Sequence, residues 1–161
     1  MGQKTHPTGF RLGIIKDWNS KWFADKSYAD WLEEDIAIRK MVQKQVGNAG
    51  IAECQIKRSP KKVTVTLQTS RPGVVIGRKG ATVDKLRGDL QKLTAKAVTL
   101  DVKEVKKPEL TSVLVAEHIA HQLAQRVSFR RAMKKAIATA MRMGAKGIRI
   151  RCGGRLGGAE M

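Results

Sequence analysis

The sequence predicts a mixed α+β fold in two parts. An N-terminal unit of helix, strand, strand, short helix, glycine loop, helix and strand is followed by a second small α/β unit that is incomplete. Three observations carry this prediction. Apolar residues alternate between a period near 3.6 and a period of 2, in that order, over residues 27–105. Gly77-Arg78-Lys79-Gly80 then falls between the strand pair and an amphipathic stretch. Finally, Lys106-Lys107-Pro108 breaks the chain, and the two helices and one strand beyond it are too little to bury a core alone. The resulting division is an arm over 1–26, a first domain over 27–107 and a second over 108–161.

Residues 1–26 read as irregular, with His6-Pro7, Gly9, Gly13 and Asp17-Trp18-Asn19-Ser20 as breakers. Ser27-Tyr28-Ala29-Asp30 matches a capping box, Ser27 serving as N-cap. A helix should then run to about residue 46, with Trp31, Ile38, Met41, Val42 and Val46 on one stripe and Gly47-Asn48-Ala49-Gly50 ending it. Residues 51–58 and 62–69 form a hairpin around Ser59-Pro60-Lys61, with Cys54, Ile56, Val63, Val65 and Leu67 inward. Val74-Val75-Ile76 fits either a strand or one helical turn. A helix over about 81–92 presents Val83, Leu86 and Leu90, and a strand over 97–105 turns Val98, Leu100 and Val102 inward. In the second domain, a helix over about 109–127 should bury Val113, Ala116, Ala120, Leu123 and Val127. Another over about 129–143 should bury Phe129, Met133, Ala136, Ile137 and Ala140, with Gly144 as cap and a strand beginning at Gly147-Ile148-Arg149-Ile150-Arg151.

Charge narrows the function. The 161 residues include 32 Lys and Arg against 14 Asp and Glu, a net charge of +18. The excess is only +2 over residues 1–50 but +8 over 51–100 and +8 again over 101–161, so it lies in folded segments rather than a tail. Such self-repulsion calls for an anionic partner, and nucleic acid leads because phosphate neutralisation releases counterions. An anionic membrane comes second, since it would want a basic amphipathic helix with Trp or Phe on its apolar face. No aromatic residue occurs from 32 to 128, which excludes the base-stacking strands of an RRM and disfavours an OB platform. Two cysteines, Cys54 and Cys152, are too few for a disulfide framework or a four-cysteine zinc site. With no signal-peptide pattern or membrane-length apolar run, the expected setting is reduced and cytoplasmic.

Gly77-Arg78-Lys79-Gly80 is the sharpest motif. Glycines three apart let main chain approach a sugar-phosphate strand without a Cβ in the way. The helix that follows offers free N–H groups and the positive end of its dipole. A bare GxxG is weak, but in this order of elements it resembles the type II KH domain, whose loop clamps a short single-stranded RNA segment. A phosphate-cradling NTPase loop is excluded because Lys79 precedes Gly80 and Ala81 and no Ser or Thr follows in register. His118 and His121 share a helical face without further metal ligands, so no metal or cofactor is expected. No nucleophile–base pairing stands out, and no catalytic residue is assigned: the chain does not read as an enzyme. In the last predicted helix, which also carries Arg130, the side chains of Arg131, Lys134, Lys135 and Arg142 fall on or near the face opposite Met133, Ala136 and Ile137, and no acidic residue lies between Glu117 and Glu160. That unbalanced stripe reads as a nucleic-acid-facing surface.

Further stretches extend the resemblance to nearly the whole chain. They are Met1-Gly2-Gln3-Lys4, His6-Pro7, Arg11-Leu12-Gly13-Ile14, Arg71-Pro72-Gly73, Val75-Ile76-Gly77, Lys79-Gly80, Phe129-Arg130-Arg131-Ala132-Met133-Lys134, Gly144-Ala145-Lys146-Gly147-Ile148 and Gly154-Arg155-Leu156-Gly157-Gly158-Ala159-Glu160. Together they resemble the bacterial-type small-ribosomal-subunit protein S-three family, whose members continue through further strands. The resemblance implies a structural role in the subunit head, bound to ribosomal RNA. It also implies contact with mRNA where it enters the subunit, through Arg130, Arg131 and Lys134, with passive help in unwinding. Lys4, His6, Arg11, Lys135, Arg142 and Arg155 are further candidates for ribosomal RNA contact. Implied neighbours are small-subunit proteins ten and fourteen in the head and four and five at the channel, with no membrane; the expected setting is the cytoplasmic ribosome, with an organellar ribosome as the second setting. A free-standing KH regulator of RNA processing is the alternative function, and a fragment of a nucleotide-hydrolysing RNA factor the third.

Overall fold

The computed structural model describes residues 2–156. Met1 and the Gly157–Glu160 part of the last motif lie outside the described residues. A short helix α1 (Pro7–Arg11) and a two-residue strand β1 (Ser20–Lys21) occupy the arm. Then follow α2 (Tyr28–Val46), β2 (Ile51–Arg58), β3 (Lys62–Thr69), α3 (Pro72–Ile76), α4 (Ala81–Leu93), β4 (Ala97–Glu104), α5 (Ser112–Ala124) and α6 (Phe129–Arg142). Single 3-10 turns stand at Gly47–Ala49, Arg78–Gly80 and Pro108–Leu110.

The strands form one sheet in the order β1-β2-β3-β4, antiparallel between β2 and β3 and parallel at both edges. The hairpin alternation held. Val63, Val65 and Leu67 are fully buried, and their partners are Arg58, Ile56 and Cys54 on β2 and Val98, Leu100 and Val102 on β4. A β-bulge between Ile51 and Glu53 reverses the phase of β2, so Ile51 and Ile56 both face inward although they are five residues apart. Ile38, Val42 and Val46 of α2, Val75 of α3, and Leu86 and Leu90 of α4 close the core over that face. The ambiguous Val74-Val75-Ile76 is helical, because Pro72 at the first helical position fixes φ and Val75 needs an inward direction. Cys54 is half-buried against the core, and burial pushes its thiol pKa up.

Several expectations are corrected. The arm is not wholly irregular: β1 pairs in parallel with β2, Ser20 opposite Ile56. Ser27 occupies the N-cap of α2, but its side chain makes no cap hydrogen bond; its carbonyl accepts from Trp31 N instead. Helix α5 starts later, at Ser112, since Pro108 initiates a separate turn, and it buries Leu114 and Ile119 rather than the predicted face. Val113 is 47% exposed. The helix is apolar on nearly every side, so periodicity could not select its inner face. In α6 the inner side is centred on Ala132 and Ala140, and Ile137 is exposed. Residues 147–151 form no strand among the described residues. A strand without a partner cannot satisfy its own N–H and C=O groups.

Both C-terminal helices end in the same capping pattern. Arg126 N donates to Leu123 O and Val127 N to Gln122 O after α5, while Gly144 N donates to Met141 O and Ala145 N to Ala140 O after α6. Gly144 takes the left-handed position as anticipated; at the end of α5 that place is held by Arg126, with φ 60°.

Candidate nucleic-acid interface

Helix α3, the glycine loop and α4 make a tight turn whose geometry follows from its residues. Gly77 has φ 72° and ψ −178°, a region essentially restricted to glycine, and a Cβ there would stand 2.1 Å from Thr82 Oγ1. Gly80, with φ 83°, is the N-cap of α4. Between them Lys79 takes a left-handed conformation, φ 53° and ψ 24°, which a lysine adopts only at a cost. The turn rests on a buried base. Thr69 Oγ1 donates to Ala49 O at 2.8 Å and accepts from Arg71 N, fixing the chain where β3 gives way to α3.

Arg78 and Lys79 are exposed, and Gly77 and Gly80 are half-buried, so the four predicted loop residues lie together at the surface. No side chain caps α4, leaving its first-turn amides open beside two cations. Open amides at a helix N-terminus favour an anion, and a phosphate fits this combination. Asp84 is the carboxylate facing the loop, 3.9 Å from the position of a Cβ on Gly80. Val74 and Ile76, 49% and 44% exposed, give α3 an apolar edge next to the glycines.

The second predicted surface lies on α6, which packs against α5 and the Pro108–Leu110 turn. Arg130, Arg131, Lys134, Lys135 and Arg142 are all exposed on the side opposite Ala132, Ala136 and Ala140. Among the described residues none of them pairs with a carboxylate. The Arg130 guanidinium sits 5.7 Å from the Phe129 ring centroid, which holds it near the start of the helix. The loop and the helix thus offer two separate basic surfaces on different elements.

The remaining candidates are scattered. His6 Nδ1 accepts from Gly9 N at 3.3 Å as the cap of α1, and Arg11 donates to Pro7 O, so both have local structural duties. Lys4 and Arg155 are exposed near the two ends of the described chain. His118 and His121 pair with Gln122 and Gln125 on their own helix, and no cluster of three His, Cys, Asp or Glu side chains gathers among the described residues. No helix of the described residues is long and apolar enough to cross a membrane.

A buried polar hub escaped the sequence reading. Arg58, at the end of β2, donates Nε and Nη2 to Asp35 Oδ1 at 3.0 and 2.7 Å, and Nη1 to Glu34 at 2.6 Å. Its guanidinium lies 6.0 and 5.6 Å from the Trp22 and Trp31 rings. Asp35 Oδ2 accepts from Ser20 Oγ and Trp22 Nε1, both at 2.8 Å, and Arg39 reaches Ser20 Oγ and Cys54 O. This hub clamps the arm onto the sheet. Its sequence signals were present: Asp35 occupies the apolar stripe of α2, and Arg58 continues the inward alternation of Cys54 and Ile56.

Comparison with known proteins adds the following. A family model described as "KH domain" matches residues 37–110, and one described as "Ribosomal protein S3, C-terminal domain" matches residues 119–161. The small ribosomal subunit protein uS3 of Myxococcus xanthus (strain DK1622) is 56% identical over 161 residues, covering 100% of this chain and 73% of the relative. Its counterpart in Anaeromyxobacter dehalogenans (strain 2CP-1 / ATCC BAA-258) is 54% identical, with 100% and 72% covered. That of Streptococcus pneumoniae (strain Hungary19A-6) is 55% identical, with 100% and 74% covered.

Proposed function

Since the chain belongs to the small ribosomal subunit protein uS3 family, we propose that it uses its two basic surfaces for different RNAs: ribosomal RNA in the subunit head and mRNA at the channel through which the message enters. The family role itself is structural and non-enzymatic: a KH-containing constituent of the small subunit that binds ribosomal RNA and neighbouring subunit proteins. The finer assignment is ours. Residues 27–107 act as the RNA-binding KH unit, with Gly77, Arg78, Lys79 and Gly80 holding a sugar-phosphate strand. Residues 108–161 carry the message-facing patch of Arg130, Arg131 and Lys134. Lys4, His6, Arg11, Lys135, Arg142 and Arg155 supply further contacts to ribosomal RNA. The neighbours are small-subunit proteins ten and fourteen in the head and four and five at the channel, and the setting is the cytoplasmic ribosome.

The observation that supports the message-facing assignment is the uncompensated charge of α6: Arg130, Arg131 and Lys134 are exposed with no carboxylate partner among the described residues. Cations held this way bind phosphate without reading bases. Unwinding would be passive, the patch holding strands already separated. Sucrose-gradient sedimentation in high salt tests the subunit assignment: the chain should travel with small subunits. A wholly free protein would instead favour a stand-alone RNA-binding regulator.

A further inference from the structure

Two basic breaks in the chain, Arg71-Pro72 and Lys106-Lys107-Pro108, are brought together by the sheet. Strands β3 and β4 are parallel neighbours with Thr69 opposite Glu104, and Val105 N donates to Thr69 O at 2.9 Å just past that pair. Paired strands lie about 4.8 Å apart, so the two chains leave the carboxyl edge of the sheet side by side. One passes through Arg71 into α3, the other through Lys106 and Lys107 toward α5. The two exits share one backbone conformation: Arg71 has φ −132° and ψ 73°, and Lys107 has φ −131° and ψ 77°. Each precedes a proline, whose ring biases the residue before it away from the helical region. Cations are thereby held alike at the ends of two adjacent strands.

The fold itself does not use their charge. Arg71, Lys106 and Lys107 are exposed, and none forms an ion pair among the described residues. Lys103 adds a fourth exposed cation at the same end of β4. Against them stands Glu104, also exposed, while Glu109 just beyond has its Oε2 buried. Like charges gathered in this way repel one another, and an anion lying among them relieves that repulsion. The glycine loop is close by. Only the five residues of α3, about 7.5 Å of helix axis, separate Arg71 from Gly77. A sugar-phosphate strand lying on the loop has to run only that far to meet these side chains. The space outside the carboxyl ends of parallel strands is also where open α/β sheets take their ligands.

We propose that Arg71, Lys106 and Lys107 form a further RNA phosphate site, which extends the grip of the glycine loop along the same strand. This rests on the loop reading above and lengthens the RNA segment that the first domain holds. The full chain and its Arg71→Gln, Lys106→Gln, Lys107→Gln variant are titrated with short and long oligouridylates over a range of salt. A probe of about four nucleotides, the length a KH loop clamps, should bind both alike. With a probe of about ten, the native chain should gain affinity and the variant should not, its slope of log affinity against log salt being flatter by about 2, the value for three single-strand phosphates. Arg71→Lys with Lys106→Arg and Lys107→Arg, which keeps the charge, should behave as the native chain and so separates charge from folding. Equal gains and equal slopes in the native and glutamine chains overturn the proposal and spare the loop. A native chain that binds neither probe overturns both. In assembled subunits, 4-thiouridine placed either in ribosomal RNA or in added mRNA identifies the source of the strand. Photoadducts on the peptides around Arg71 and Lys106 from one labelled RNA assign the site to it, and adducts from neither overturn the proposal.

Discussion

At the level of single residues, the loop and the hub make opposite demands on stability. Left-handed backbone costs a residue such as Lys79 about 1–2 kcal/mol, and glycine's greater unfolded-state entropy offsets about 0.5–1 kcal/mol of any relief. Lys79→Gly should therefore raise the thermal midpoint slightly while weakening affinity for single-stranded RNA. A lowered midpoint would instead show that the lysine stem contributes to the packing of the loop. Arg58 is a different case. Its side chain and that of Asp35 are each 1% exposed, so removing the cation strands a buried carboxylate. Arg58→Ala should cost about 3–5 kcal/mol in denaturant unfolding. Arg58→Lys should recover only part, because an ammonium cannot reproduce the planar fork. Equal stability of the Ala variant and the native chain would contradict the hub.

Among the elements, α6 carries the clearest separation of roles. Its inner side is set by small residues, Ala132 and Ala140, and its outer side by cations. Changing Arg130, Arg131 and Lys134 together to Ala therefore touches no packed side. Translation through structured mRNA should slow several-fold while incorporation into small subunits stays near normal. An equal loss of incorporation would assign the patch to ribosomal RNA. The hairpin and α4 were legible in sequence because one face of each meets the core, so Val63, Val65, Leu67, Leu86 and Leu90 mark it unambiguously. Helix α5 was not, since a helix apolar all round gives no phase. The stretch at 147–151 alternates like a strand, yet alternation is only half of what a strand needs; the other half is a hydrogen-bonding neighbour. The glycine loop was readable because positive φ and close approach both demand glycine. Arg58 was hidden by the opposite logic: a buried cation looks like a surface residue until its carboxylates are found in space.

Over the whole molecule, the excess of 18 positive charges makes RNA affinity a strong function of salt. Reversing Arg78 and Lys79 to Asp should lower affinity and flatten the plot of log affinity against log salt by at least about 1.4, the value for two single-strand phosphates no longer neutralised. An unchanged slope would mean that the loop does not hold phosphate. The distribution of charge matters as much as its total, since the carboxylates at the start of α2 and the cations of α6 and the loop give one chain regions of opposite sign.

The clamp between Arg58, Asp35 and the arm imposes an order on biogenesis. Ser20 and Trp22 leave the synthesising ribosome before Arg58 emerges to complete their binding site. The first part of the newborn chain must therefore wait, undocked, for the second strand of the sheet to emerge. Fluorescence of Trp22 and Trp31, both beside Arg58, offers a clock for that moment.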